Sequence, residues 1–233
     1  FREEALNATF NGLHPGRKQA LQPGSWAHLP GLPALDGFTV ALMVWPTLPG
    51  DDGRTLISTP GFSITQDGGR LHARLGEDGV ASSISLRERR WHQVVVNFDG
   101  ERLRMTLCVR PRGAGERSHA GDSATAARGV SLAAGSWNLA TAATRDGPAP
   151  GFNGRLEAPR VWSAALEPEE ALHALEERAP RHPGLEGAWD FALEISSDRI
   201  CDVSGHARHG SLHQTPTRAV GGHCWDGSVQ CWQ

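Results

Sequence analysis

An all-β antiparallel sandwich carrying one short helix is the fold class that the sequence predicts, and three observations predict it. First, 28 Gly and 15 Pro punctuate 233 residues, cutting the apolar sequence into runs of strand length. Second, residues 90–110 read as a hairpin. Two apolar arms meet at Asp99-Gly100, the pair favoured by a tight two-residue turn. Third, helix-start signals gather around Pro168. A proline sits in the first turn, Glu167, Glu169 and Glu170 lie near the N-terminus, and Leu172 and Leu175 share one face.

The elements follow in chain order. Residues 1–35 form an edge segment with Trp26 as its large anchor and a strand over residues 25–29. Asp36-Gly37 turns into a strand over 38–46, and a loop at 49–53 precedes a short strand at 55–58. Residues 62–65 and 70–75 form a second hairpin around Asp67-Gly68-Gly69; its return arm turns Leu71, Ala73 and Leu75 inward and Arg70, His72 and Arg74 outward. Residues 80–86 lead into the central hairpin. There the return arm alternates: Leu103, Met105, Leu107 and Val109 face a core, while Arg102, Arg104, Thr106, Cys108 and Arg110 face solvent or a groove. Three consecutive valines at 94–96 on the outgoing arm predict cover on both of its faces. Residues 111–128 are small and polar and read as a long loop. Strands are expected at 129–132 and 137–141, then a loop at 143–151, a closing strand from Phe152, and the helix. Residues 178–184 read as a linker. Residues 185–233 read as closing strands, so the whole chain, 1–233, is expected to be one domain around a sandwich and helix at 36–178.

Bulk composition excludes some partners. A net charge of −3 gives no electrostatic reason to bind nucleic acid or an acidic membrane. No apolar run approaches the roughly 18 residues of a membrane span. The first residues lack both the basic and the apolar parts of a signal peptide, so the cytoplasm is the expected location, with secretion as the alternative if a leader was removed upstream. Cys108, Cys201, Cys224 and Cys231 are too few for a disulfide scaffold and read as reduced thiols packed as small hydrophobes.

Catalytic and metal constellations are sparse. The sequence has no G-x-S-x-G turn, and Gly121-Asp122-Ser123 is a loop fragment, not a nucleophile elbow. No strand offers the paired carboxylates of a glycosidase; Glu157 stands alone. No catalytic residue is expected. His206, His209, His213, His223 and Cys224 are metal-ligand types, but their spacing matches no zinc motif and they read as turn and surface side chains. Metal ligands are therefore not expected; Asp51, Asp52 and Asp202 are the candidates if calcium binds. Eight tryptophans and no tyrosine are present. Trp45, Trp91, Trp162 and Trp189 fall within apolar runs and read as core. Trp26, Trp137 and Trp225 are the ligand-binding candidates, with Trp232 similarly free.

Two resemblances sharpen these expectations. Trp91-His92, the valines and Phe98-Asp99-Gly100, with the blocks at 38–46 and 152–175, resemble the laminin G-type, concanavalin A-like jelly roll across residues 36–178. Leu185 to Phe191, followed by Cys201 to Gly205 and His209 to Leu212, is similar to the strand that usually opens such a domain, so either the order is permuted or a second module begins. The tail also resembles the large subunit of N,N-dimethylformamidase and its relatives at Trp189-Asp190-Phe191, Ile195-Ser196-Ser197, His209-Gly210, residues 216–220 and Trp225-Asp226-Gly227. That resemblance implies formamide hydrolysis at a mononuclear iron held by tyrosines and a glutamate. With no tyrosine in the chain, such an iron site is not expected here. The implied role is a non-catalytic jelly-roll accessory domain, part of a longer protein, which packs against other domains or subunits and needs no cofactor of its own. A carbohydrate-binding, lectin-like module, with calcium as its accessory ion, is the alternative.

Overall fold

The computed structural model describes residues 24–110, 118–125, 130–144, 147–148, 151–214, 216 and 218. Its first strands in chain order are β1 (Trp26–Leu32), β2 (Phe38–Pro46), β3 (Arg54–Thr59), β4 (Phe62–Asp67), β5 (Arg70–Leu75) and β6 (Asp78–Ala81). There follow β7 (His92–Phe98), β8 (Arg102–Val109), β9 (Ser118–Thr125), β10 (Gly135–Leu139), β11 (Ala143–Thr144), β12 (Gly147–Pro148) and β13 (Gly154–Trp162). Helix α1 (Pro168–Ala174) precedes β14 (Leu185–Asp190), β15 (Arg199–Asp202) and β16 (Gly210–His213). Apart from the small β11–β12 pair, the strands form one ladder in the order β6-β5-β4-β3-β10-β1-β16-β15-β14-β13-β2-β7-β8-β9.

The ladder folds over on itself, and its two halves bury the main core between them. Phe38 of β2 meets Phe62 of β4 edge-on with ring centroids 5.2 Å apart, and Phe62 packs on Trp137 of β10 at 5.8 Å. Period-two alternation decides which side chains enter. Val40, Leu42 and Val44 of β2, Val94 and Val96 of β7, and Leu103, Met105 and Leu107 of β8 face this core. From the opposite half Leu29, Leu56, Ile57, Ile64, Leu71 and Ala73 meet them.

A second, smaller core lies on the other side of β13, β2 and β7. Ala41, Met43, Val95, Ala158 and Trp162 point outward there and are covered by Leu166, Leu175 and α1. This explains the valine triplet: its outer two residues enter one core and its middle residue the other. Polar side chains fasten the cover. Thr39 Oγ1 donates to the carbonyl of Ala164 at 2.7 Å and accepts from the Leu166 amide at 2.8 Å. Asn97 Nδ2 donates to the Leu166 carbonyl at 2.7 Å. Helix α1 starts at Pro168, as the sequence indicates, and buries Ala171 and Ala174; Leu172 is only partly buried at its margin.

Four expectations are corrected. The strand around Trp26 is not an edge: β1 lies between β10 and β16. Within residues 111–128, Ser118–Thr125 is strand β9, paired along its length with β8. Of the described residues 130–132 only Leu132 pairs, in an isolated bridge to Leu35; residue 129 lies outside the described residues. On the outer face of β8, Thr106 and Cys108 are buried, not solvent-facing.

The tail resolves its out-of-order motif by joining the ladder. Strand β14 pairs with β13 through Arg160 and Ala188, β15 pairs with β14, and β16 pairs with both β15 and β1. Trp189 and Ile200 enter the main core. The last of the described strands in sequence therefore occupy the middle of the ladder.

Candidate functional site

Register determines which side chains share the outer face of the half that has no helical cover. Ser211 pairs with His28, His28 with Asn138, Asn138 with Ser58, Ser58 with Ser63, and Ser63 with Arg74. Their neighbours Ala27, Leu29, Trp137, Ile57, Ile64 and Ala73 fill the core, so the row itself faces away from it. His28 Nδ1 lies 3.4 Å from Asn138 Oδ1. At one end Trp26 stacks on His213, with ring centroids 3.9 Å apart and planes 12° from parallel. Toward the other end an open groove of about 470 Å³ is lined by Ser58, Pro60, Ser63, Arg74 and Asn138. One cation, several hydroxyls and an amide make this a hydrogen-bonding surface with an aromatic flank.

The three ligand-binding candidates fare differently. Trp26 lies half-buried on this face. Trp137 does not: it is 2% exposed and packs on Phe62, so it offers no ring face to a ligand. The polar residues beside it, Ser136 and Asn138, belong to the opposite face of the strand and gave a misleading signal of exposure. Trp225 lies outside the described residues, as do Trp232, His223, Cys224 and Cys231. The polar row itself was missed in sequence. Only the outward turn of Arg74 was legible, because alternation along β5 gives it directly, whereas its cross-strand partners require the register.

The remaining histidines serve the tail. Asp202 organises it: its carboxylate accepts the amide hydrogens of Ala188 at 3.3 Å, Ser204 at 2.9 Å and Arg208 at 2.9 Å. Burial pushes that carboxyl up, but the hydrogen bonds from Ser204, Arg208 and Ala188 outweigh it and hold the group below its ordinary range. His209 Nδ1 accepts the Asp202 amide at 3.1 Å, and His206 Nε2 donates to the Leu185 carbonyl at 3.0 Å. The calcium candidates are likewise engaged. Asp51 pairs with Arg54 at 3.2 Å, and Asp52 accepts the Gly68 amide at 2.8 Å.

Beside this turn an open groove of about 760 Å³ runs between residues 179–186 and 203–206, edged by the 2.6 Å contact of His182 with Glu170. Among the described residues no group of three or more His, Cys, Asp or Glu side chains is arranged to hold a metal. Because the chain has no tyrosine, its residues do not fit the tyrosine-and-glutamate iron set. Cys108 and Cys201 are buried, and burial raises the Cys201 thiol above its ordinary value. Among the described residues no helix is long and apolar enough to cross a membrane.

Comparison with known proteins agrees with this architecture. The β subunit of N,N-dimethylformamidase from Paracoccus aminophilus is 28% identical over 265 aligned positions, covering 97% of this chain and 34% of the relative. The corresponding subunit from an Alcaligenes species is 26% identical, again over 97% of this chain and 34% of its own length. The chain thus spans about a third of these relatives. A solved structure from Bacteroides ovatus ATCC 8483, described as a candidate carbohydrate binding protein, superposes with a TM-score of 0.58 at 16% identity, over 84% of this chain and 59% of that one. Residues 21–171, well over half of the sequence, match the family of laminin G-type domains, and the chain therefore belongs to the concanavalin A-like lectin/glucanases superfamily.

Proposed function

We propose that this chain is a non-catalytic jelly-roll domain of a dimethylformamidase-like amidohydrolase, in the larger subunit, where it contributes packing and subunit contacts. One observation carries the reading. Likeness to the two dimethylformamidase β subunits runs over 97% of the chain, including the tail beyond residue 171, where the superfamily match stops. The absence of tyrosine supports a non-catalytic role, since the iron chemistry implied for these enzymes would then reside elsewhere. Its partners are other domains or subunits of the same enzyme, in the cytoplasm, and the domain needs no cofactor of its own.

The test is direct. The purified chain is expected to release no formate from dimethylformamide and to carry no stoichiometric iron by elemental analysis. Iron-dependent formate release would overturn the proposal.

A second reading is favoured by the outer face. The Trp26–His213 stack beside a row of hydroxyl and amide groups is suited to a sugar, whose apolar ring faces stack on aromatics while its hydroxyls hydrogen-bond. In that case the chain is a lectin-like module, with calcium as its accessory ion. Neutral oligosaccharides titrated with and without calcium distinguish the two. Saturable binding that Trp26→Ala abolishes would favour the lectin; its absence favours the accessory domain.

A further inference from the structure

We propose that residues 191–198, the loop between β14 and β15, form the surface through which this domain packs onto the remaining part of a dimethylformamidase-β-like subunit; the inference rests on the function proposed above. The loop has no strand pairing of its own; the Asp198 carbonyl at its end accepts the Leu212 amide of β16 at 2.7 Å, and the path between needs a further brace. Arg218 fixes it. Its Nε donates to the Phe191 carbonyl at 2.8 Å, and the two hydrogens of Nη1 are shared among the carbonyls of Glu194 at 3.0 Å, Ser197 at 2.8 Å and Arg199 at 3.2 Å. Nη2 donates to the Leu193 carbonyl. A guanidinium offers five N–H donors in a rigid plane, and here its partners are main-chain oxygens spread along the whole loop. A side chain from the tail thus does the work that neighbouring strands do elsewhere.

What this brace presents is apolar. Leu193 is 42% exposed and Ile195 50% exposed; among the described residues Leu48 is the only other large apolar side chain so exposed. Two aliphatic side chains held outward on a braced loop suit an interface, because little conformational entropy remains to be lost on docking. Glu194 and Arg199, 3.8 Å apart, provide a charged rim beside them.

Position in the sequence identifies the occupant. The loop and its brace lie beyond residue 171, where the general sandwich match ends, yet within the region aligned with the dimethylformamidase β subunits. Those subunits are about three times longer than this chain, which spans 34% of them. The remaining two thirds of such a polypeptide is tethered to this domain and so is present beside it at high local concentration, and an apolar surface on it is the chemistry that Leu193 and Ile195 would meet.

Hydrogen exchange in residues 191–198 tests this, comparing the chain alone with the intact subunit that carries it. Exchange is expected to slow by at least about tenfold in the intact subunit. The double variant Leu193→Asp/Ile195→Asp should abolish that slowing while leaving the unfolding midpoint of the isolated chain within about 2 °C. Arg218→Ala should speed exchange of the loop even in the isolated chain, and Arg218→Lys should only partly restore it. Equal exchange of the wild-type loop in both settings, or slowing that survives the double variant, overturns the surface. So does slowing in the isolated chain that grows with concentration and disappears in the double variant, which would assign the loop to a second copy. Deleting the whole domain separates the two readings. If deletion ruins subunit assembly while loop exchange is unchanged, the accessory function stands and the surface is wrong; if assembly and formamide hydrolysis both survive deletion, the function falls as well.

Discussion

His92 is fully buried at the start of β7, and both of its ring nitrogens are used. Nδ1–H donates to the Arg90 carbonyl at 2.8 Å, and Nε2 accepts the Arg87 amide at 3.0 Å, which fixes a neutral tautomer. Burial is the main reason that its pKa drops from 6.5 to about 4, with the charges of Arg87 and Arg90 adding to it. Below pH 6.5 the unfolded chain takes up a proton that the folded chain refuses until about pH 4. Stability is therefore expected to fall across that window as the pH drops, by up to about 3 kcal/mol, and to be indifferent to this group above it. Urea titrations of the wild type and His92→Gln check this: the variant should have a flatter profile between those limits, and parallel profiles would refute the assignment. A second residue test uses the two faces of β8. Leu107 is fully buried in the main core, so Leu107→Ala should cost about 2–5 kcal/mol. Thr106→Ala should cost about 1 kcal/mol or less; equal losses in chemical denaturation would mean that the faces are misassigned. At this scale the sequence misled at Trp137 as it did at Thr106 and Cys108. Ser136 and Asn138 made Trp137 look free, although in a strand the neighbours of a core residue are the ones that face out.

Elements were legible where a side-chain pattern and a turn agreed. Alternation from Leu103 to Val109 and an aspartate-glycine pair between two apolar arms define the β7–β8 hairpin, but the ladder pairs Phe98 with Leu103, so the turn centres on Gly100-Glu101, one residue beyond the Asp99-Gly100 position expected from sequence. Strand β9 was not legible, because its sequence, SHAGDSAT, has no apolar alternation. What makes it a strand is the row of main-chain groups that β8 offers it, and such an offer leaves no trace in local composition. The interior place of β1 was hidden for a similar reason, since its flanking strands β10 and β16 come from distant sequence. Close approach explains a glycine in one of them. A Cβ on Gly210 would stand 2.7 Å from the His28 carbonyl oxygen of β1, and main chain cannot move aside as a flexible side chain can. Gly210→Ala should therefore destabilise by about 1–3 kcal/mol and speed hydrogen exchange in β16 and β15 first. A variant with wild-type stability and exchange would show that the two strands are not so closely seated.

At the scale of the whole molecule, the ladder order is the feature that sequence could not supply. The tail strand motif was visible, but its insertion between β13 and β1 depends on pairings that span most of the chain. Stopping the chain after Pro183 removes β14, β15 and β16 and leaves the edges of β13 and β1 unpaired. Such a chain is expected to associate and to lose cooperative unfolding; one that stays monomeric by size exclusion with the full-length midpoint would refute this. The same order has a consequence for synthesis. The Ser25 hydroxyl donates to the Gln214 carbonyl, a contact between residues 189 positions apart, so the middle of this sheet leaves the ribosome after both of its flanking halves. At roughly 5–20 residues per second, the facing edges of β13 and β1 stay open for several seconds before β14, β15 and β16 arrive. Rare codons or a stall near Pro183 would lengthen that wait, and yield in the cell would then follow the speed of translation as much as the stability of the finished fold.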